Sequence, residues 1–354
     1  MPTLRPLALA ATAALAFASP LAAQEKTDFR IAWSIYVGWM PWGYLEDSGI
    51  MDKWADKYGI DVEIVQINDY IESINQYTAG AFDGVSATNM DTLSIPSGGG
   101  VDTTALIVGD YSNGNDAVLI KGDGTMADLA GQPVNLVELS VSHYLLARGL
   151  DMNGLSEADL AAVINTSDAD MVAAFNTPDV TAAVTWNPLV STILETPGVT
   201  KIFDSADIPG EIIDLMVVNT ETLAAHPEFG KALVGAWYET MALMSADSAE
   251  GAAARSEMAA ASGTDLSGYE DQLATTEMFY DAADAVAFTK GPALSQTMIY
   301  VAEFLFDKGI LGTGAPSADF VGVAYPDGST TGDPENVKLR FDTTFLEMAA
   351  EGAL

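Results

Sequence analysis

Between Asp28 and Asp110, short β-branched runs alternate with amphipathic stretches, and this alternation constrains the fold more than any other feature of the chain. DFRIAWSIY (28–36) reads as a first strand. LEDSGIMDKWADKY (45–58) carries Leu45, Ile50, Trp54 and Tyr58 at helical spacing and stops at Gly59, after which DVEIVQI (61–67) alternates as a second strand. YIESINQYTAG (70–80) predicts a helix ended by Gly80, and FDGVSATN (82–89) a short strand. MDTLSIPSGGG predicts a helix running into a glycine-rich turn, and VDTTALIVGD (101–110) another strand. The β-α-β-α-β order predicts an α/β layer around a largely parallel sheet.

A second unit begins near DAVLIKG (116–122). Its strand PVNLVEL (133–139) leads into the helical VSHYLLARGLDMNGL, and AAVTWNP (182–188) is a strand stopped by an Asn-Pro breaker. EIIDLMVVNTETLAAHP (211–227) reads as a strand entering a helix, and from about Phe229 the chain turns strongly helical. Two lobes joined by crossing strands are expected, one from residues 24–115 with 216–354 and the other from 116–215.

The first residues have one positive charge (Arg5), an apolar run from Leu7 to Phe17 and small residues at Ala22 and Ala23. That is the pattern of a secretory signal peptide over residues 1–23, cut near Ala23, and it predicts export to a periplasm. The chain has no cysteine, which excludes disulfides, thiol nucleophiles and thiolate metal sites. Its formal net charge of −36 repels nucleic acid and anionic membrane surfaces, although much of that acidity serves solubility. His143 and His226 lie far apart in sequence, and no nucleophile elbow, phosphate-binding loop or metalloprotease motif is present. An enzyme, a cofactor and a metal site are therefore not expected.

In open α/β sheets, ligands gather beyond the carboxyl ends of strands. The residues found there include WSIYVGWMPWGY (33–44), whose proline and two glycines predict a loop or short turn carrying Tyr36, Trp39 and Trp42. Trp33, within the strand, and Trp54 and Trp237, at helical spacing, read as core. The other strand ends contribute Asp69, Asn89, Asp91, Asp110, Glu138, Trp186 and Asp214. Asp69 and Asp91 are equally suited to cap helices, and Glu138 to sit at the positive end of one. The set is rich in carboxylates, amides and rings and contains no Lys or Arg, the nearest being Arg148, about two turns into its helix. A buried anion needs pairing, so these residues point to a cation or a neutral polar molecule.

The signal peptide, the two α/β units and the segments SATN, SHYLLARGL and AAVTWNP resemble the periplasmic solute-binding proteins of ABC importers, most of all the nitrate/sulfonate/taurine-type branch. YVGWMPWGY, QINDYIESINQYTAG, TNMDTLSIP, ALIVGDYSNGND and AAVTWNPLVS resemble a subgroup encoded beside urea carboxylase, linked with urea and guanidine. The resemblance implies a type II periplasmic binding protein fold, with mixed, mostly parallel sheets joined by two hinge crossings. It also implies a monomer that clamps a small molecule between its lobes and delivers it to an inner-membrane ABC permease. The missing basic residue argues against nitrate, sulfonate and taurine. Guanidinium is flat, cationic and only donates, so it calls for carboxylates in its plane and aromatic faces above and below. Urea, the alternative, needs a donor for its carbonyl, and a pyrimidine such as a thiamine precursor would also use the rings.

Overall fold

A computed structural model describes residues 26–312 and 314–354; the expected signal peptide lies outside the described residues. The chain opens as the sequence suggests, with β1 (Asp28–Trp33), α1 (Met40–Asp47), α2 (Ile50–Tyr58), β2 (Asp61–Gln66), α3 (Tyr70–Thr78), β3 (Gly84–Thr88) and α4 (Asn89–Thr92). A π-turn over Leu93–Ser97 extends α4, and β4 (Thr103–Ser112) follows. β1 lies between β2 and β3, parallel to both.

The chain then leaves this sheet and builds a second one. It runs through β5 (Ala117–Lys121), β6 (Pro133–Leu136), α5 (Val141–Met152), β7 (Ala162–Asn165), α6 (Asp168–Phe175), β8 (Ala182–Thr185), α7 (Leu189–Leu194) and β9 (Val199–Asp204). The strand order is β7-β6-β8-β5-β9, parallel among β7, β6 and β8 and antiparallel where β5 meets β8 and β9. β10 (Ile213–Asn219) returns to the first sheet, inserted antiparallel between β3 and β4. Two chain crossings, 113–116 and 205–212, therefore join the sheets.

Helices α8 (Thr220–Ala225), α9 (Pro227–Met244), α10 (Ala249–Ala261), α11 (Leu266–Leu273), α12 (Ala282–Thr289), α13 (Pro292–Asp307) and α14 (Thr344–Ala350) dominate the remainder. The expectation of a strongly helical final third needs one correction. β11 (Thr276–Met278) pairs with β4, and β12 (Gly322–Ala324), β13 (Thr330–Thr331) and β14 (Val337–Phe341) extend the first sheet to the order β13-β12-β14-β4-β10-β3-β1-β2. These strands escape a periodicity reading because they are two to five residues long and the longest, VKLRF, alternates Lys and Arg with its apolar positions.

The aromatic segment, expected as a loop or short turn, is a short turn that continues as a helix. Val37–Trp39 forms a 3₁₀ turn that runs into α1. Pro41 sits in the first turn of α1, where a helix has no use for its missing N–H. Gly43 is tolerated because the Trp33 indole lies against it: a Cβ there would stand 2.7 Å from the ring. Trp33 and Trp237 are buried, as expected, whereas Trp54 is only partly buried and donates its indole N–H to Glu239 at 2.7 Å.

Candidate functional site

Four rings surround a void between the two sheets. Tyr36 and Trp39 come from the turn after β1, Tyr70 is the first residue of α3, and Trp186 follows β8 on the opposite side. Their centroids are linked in series: Tyr36 to Trp39 at 5.0 Å and 74°, Trp39 to Tyr70 at 5.6 Å and 41°, and Tyr70 to Trp186 at 5.5 Å and 74°. Steeply inclined neighbours make walls of a box rather than a single stack. None of the four is more than 4% exposed. Thr88, Val141, Asp116 and Asp214 complete the lining. The void is a small cavity of about 10 Å³. As it stands the cavity has room for about one water molecule, so a ligand of a few non-hydrogen atoms enters only as its walls move apart.

Three of the four rings, those of Tyr36, Tyr70 and Trp186, are held by polar contacts. The Tyr36 hydroxyl donates to Asp110 Oδ1 at 2.7 Å, and Trp186 Nε1 donates to the Ile35 carbonyl at 3.1 Å. The Tyr70 hydroxyl donates to Asp91 Oδ2 at 2.7 Å and accepts the Thr88 N–H at 3.0 Å. Gly38 allows the Tyr36–Asp110 contact, because a Cβ there would lie 2.5 Å from the tyrosine ring and 2.7 Å from Asp110 Oδ2.

The site's charge is wholly negative. Asp91, Asp110, Asp116 and Asp214 are each 3% exposed or less. Asp116 accepts the Ser112 hydroxyl at 2.6 Å. Burial pushes the carboxyl of Asp116 up to about 7 and that of Asp91 to about 6. Asp110 and Asp214 are raised as well, by burial first, with the charge of Asp110 adding to the rise at Asp214. Taken as two ionised groups, their Oδ2 atoms have no donor among the described residues. Arg148 does not compensate them. Its Nε and Nη2 are both engaged at 2.9 Å by Glu211, and its face rests on Tyr300 and Phe304. Nor is the amino end of α5 open to an anion, since Asp91 Oδ2 takes the Val141 N–H.

Of the residues the sequence singled out, Tyr36, Trp39, Trp186 and Asp214 line the void, and Asp110 and Asp91 stand directly behind it, bonded to Tyr36 and Tyr70. The other four lie elsewhere. Trp42, in α1, stacks on Trp237 at 4.8 Å in the core. Asp69 caps α3 by accepting the Glu72 N–H at 2.9 Å. Asn89 accepts the Ile213 N–H and donates to the Glu211 carbonyl, pinning the start of β10. Glu138 is exposed. Sequence reasoning did not select Tyr70, Thr88, Asp116 or Val141; all four stand near strand ends or helix starts, the signal that found the others.

None of the curated proteins searched matches the chain. Among solved structures, the alkanesulfonate-binding protein SsuA from Xanthomonas axonopodis pv. citri bound to MOPS is 17% identical, with a TM-score of 0.66 over 82% of this chain and 96% of that one. The periplasmic aliphatic sulphonate binding protein SsuA from Escherichia coli is 18% identical, TM-score 0.62, over 79% and 87%. The periplasmic nitrate-binding protein NrtA from Synechocystis PCC 6803 is 13% identical, TM-score 0.58, over 92% and 99%. The fold is thus that of type II periplasmic binding proteins. Residues 32–261, more than half of the chain, match the NMT1-like family, and the protein belongs to that family.

Proposed function

We propose that this protein is the solute-binding component of an ABC-type importer and that it captures guanidinium from the periplasm for an inner-membrane permease. Proteins of the same fold include a ligand-binding component of an ABC-type import system and a sulfonate ABC transporter's binding protein. Among the described residues, no helix is long and apolar enough to cross a membrane. The role asked of the chain is binding and release, with no reaction.

One observation carries the choice of ligand: an aromatic box lined by Asp116 and Asp214, backed by Asp91 and Asp110, with no basic side chain in its lining. An anion such as sulfonate or nitrate would meet four carboxylates and no cation, at a desolvation cost nothing offsets. Guanidinium offers a flat cationic face to the rings and six N–H groups to the acceptors. Urea has the same shape, but the nearby donors are already spent, the Tyr36 and Tyr70 hydroxyls on carboxylates and the Val141 N–H on Asp91. A quaternary ammonium would fill the box yet leave Asp214 Oδ2 without a hydrogen bond.

Calorimetric titration with guanidinium, urea and taurine at low millimolar concentration or below tests the reading. Saturable guanidinium binding with little response to the other two is expected. Tight binding of urea or taurine in its place would refute the cation assignment.

A further inference from the structure

Asp110 on β4 and Asp214 on β10 are direct partners across an antiparallel pair of strands. Such partners point to the same face of the sheet with Cβ atoms about 5 Å apart. Both are buried, and among the described residues the one hydrogen-bond donor to either carboxyl group is the Tyr36 hydroxyl, on Asp110 Oδ1. Around them stand the hydroxyl of Tyr36, the rings of Tyr269 and Tyr280, and two further carboxyl groups, Asp116 and, beyond it, Asp91. Arg255, the basic residue acting on Tyr269 and Tyr280, is occupied by Glu270 at 3.0 Å and the Met244 carbonyl at 2.6 Å. Two negative charges cannot stand side by side in this setting without a cation. One proton held between the carboxyl groups makes one of them the donor and the other its acceptor, and leaves a single negative charge on the pair.

We infer that Asp110 and Asp214 hold one proton between them in the ligand-free protein and release it to solvent when a cation binds, so that this pair selects a charged ligand over a neutral one of the same shape. The inference rests on the cation reading of the pocket. The exchange balances: the pair carries one negative charge with its proton and two without it, and the incoming monocation restores the total. A neutral ligand has no charge to replace the proton, so it leaves the pair as it is. Selectivity then depends on pH. Below the range in which the pair loses its proton, guanidinium affinity rises by about tenfold per pH unit, and it levels off above it. Urea affinity stays flat throughout.

Titration calorimetry in two buffers of different ionisation enthalpy, between pH 5 and 8, reads the proton directly. About one proton released per guanidinium bound at the acid end is expected, with affinity climbing toward pH 8. Asp110→Asn keeps an acceptor for the Tyr36 hydroxyl and removes the second charge. It is expected to remove the pair's share of the proton release, about one proton per guanidinium, and to make the pH profile shallower to match, with Asp116 accounting for what is left. Saturable guanidinium binding with the same enthalpy in both buffers and no pH dependence overturns the exchange and leaves the ligand reading standing. No saturable guanidinium binding at pH 8, in protein that melts cooperatively, overturns the ligand reading and the exchange together.

Discussion

Asp91 Oδ2 accepts the backbone N–H of Val141 at 3.1 Å, so a carboxylate from the first sheet's side occupies the amino end of a helix on the second. The same oxygen accepts the hydroxyls of Tyr70 at 2.7 Å and Thr88 at 3.0 Å. Asp91→Ala strands three buried donors and is expected to cost about 2–4 kcal/mol of stability, read by thermal unfolding. Asp91→Asn, which keeps an acceptor oxygen, is expected to cost about half as much. Equal losses would mean that the charge, not the hydrogen bonds, sets the effect.

Trp39 and Trp42 sit three residues apart and are expected to fail in opposite ways. Trp39→Ala removes a wall of the box and should weaken guanidinium binding by about 1–3 kcal/mol while the protein still folds. Trp42→Ala empties a core site against Trp237 and should lower stability by about 3–5 kcal/mol, with little change in the affinity of the folded fraction. Binding that survives Trp39→Ala unchanged would rule out the box as the ligand seat.

Asp214→Asn keeps size and polarity but withdraws a charge that lines the void. A loss of guanidinium affinity on the order of 1.5–3 kcal/mol is expected at pH 8, where the charged form matters most. Asp69→Ala serves as the contrast. It removes an α3 cap worth about 0.5–2 kcal/mol of stability, and ligand affinity is expected to hold.

Stability of the ligand-free protein is expected to fall as pH rises. Burial lifts Asp91 and Asp168 to about 6 and Asp116 to about 7, against about 4 in an unfolded chain. The folded state therefore keeps protons that the unfolded state has released, and the stability they give is complete below about pH 4 and lost as pH climbs through 6 to 7. A melting temperature about 2–5 °C lower at pH 8 than at pH 5 follows, and saturating guanidinium should recover most of the difference. A melting temperature that increases from pH 5 to 8 would count against these carboxyls being buried as described.

The opening strands and helices are legible because each repeats one period long enough to be seen, as in DVEIVQI and YIESINQYT. The proline in WMPWGY misleads because proline breaks a helix interior but not its first turn, and local sequence does not say which position it holds. Asp69 has equal claims to cap and to ligand in the sequence; its hydrogen bond to Glu72 makes it a cap. Tyr70 and Asp116 read as ordinary strand-end residues, since what sets them apart is the company of Trp186 and Asp214, far away in sequence. The composition of the pocket, rings and acids without a base, is legible, and so are Tyr36, Trp39, Trp186 and Asp214 in its lining; Tyr70, Thr88, Asp116 and Val141 are not.

The ring series that encloses the void runs from Tyr36 and Tyr70 on one sheet's side to Trp186 on the other's. A seat assembled from two halves exists only while they are together, so apparent affinity is the intrinsic affinity scaled by the closed population. Residues that never touch ligand then tune occupancy. Asp168, whose Oδ1 accepts the Tyr70 N–H at 3.1 Å across the same gap, is one of them. Escape of the ligand is timed by how often such links let go together, which makes dwell time a property of the whole seam and not of the box alone.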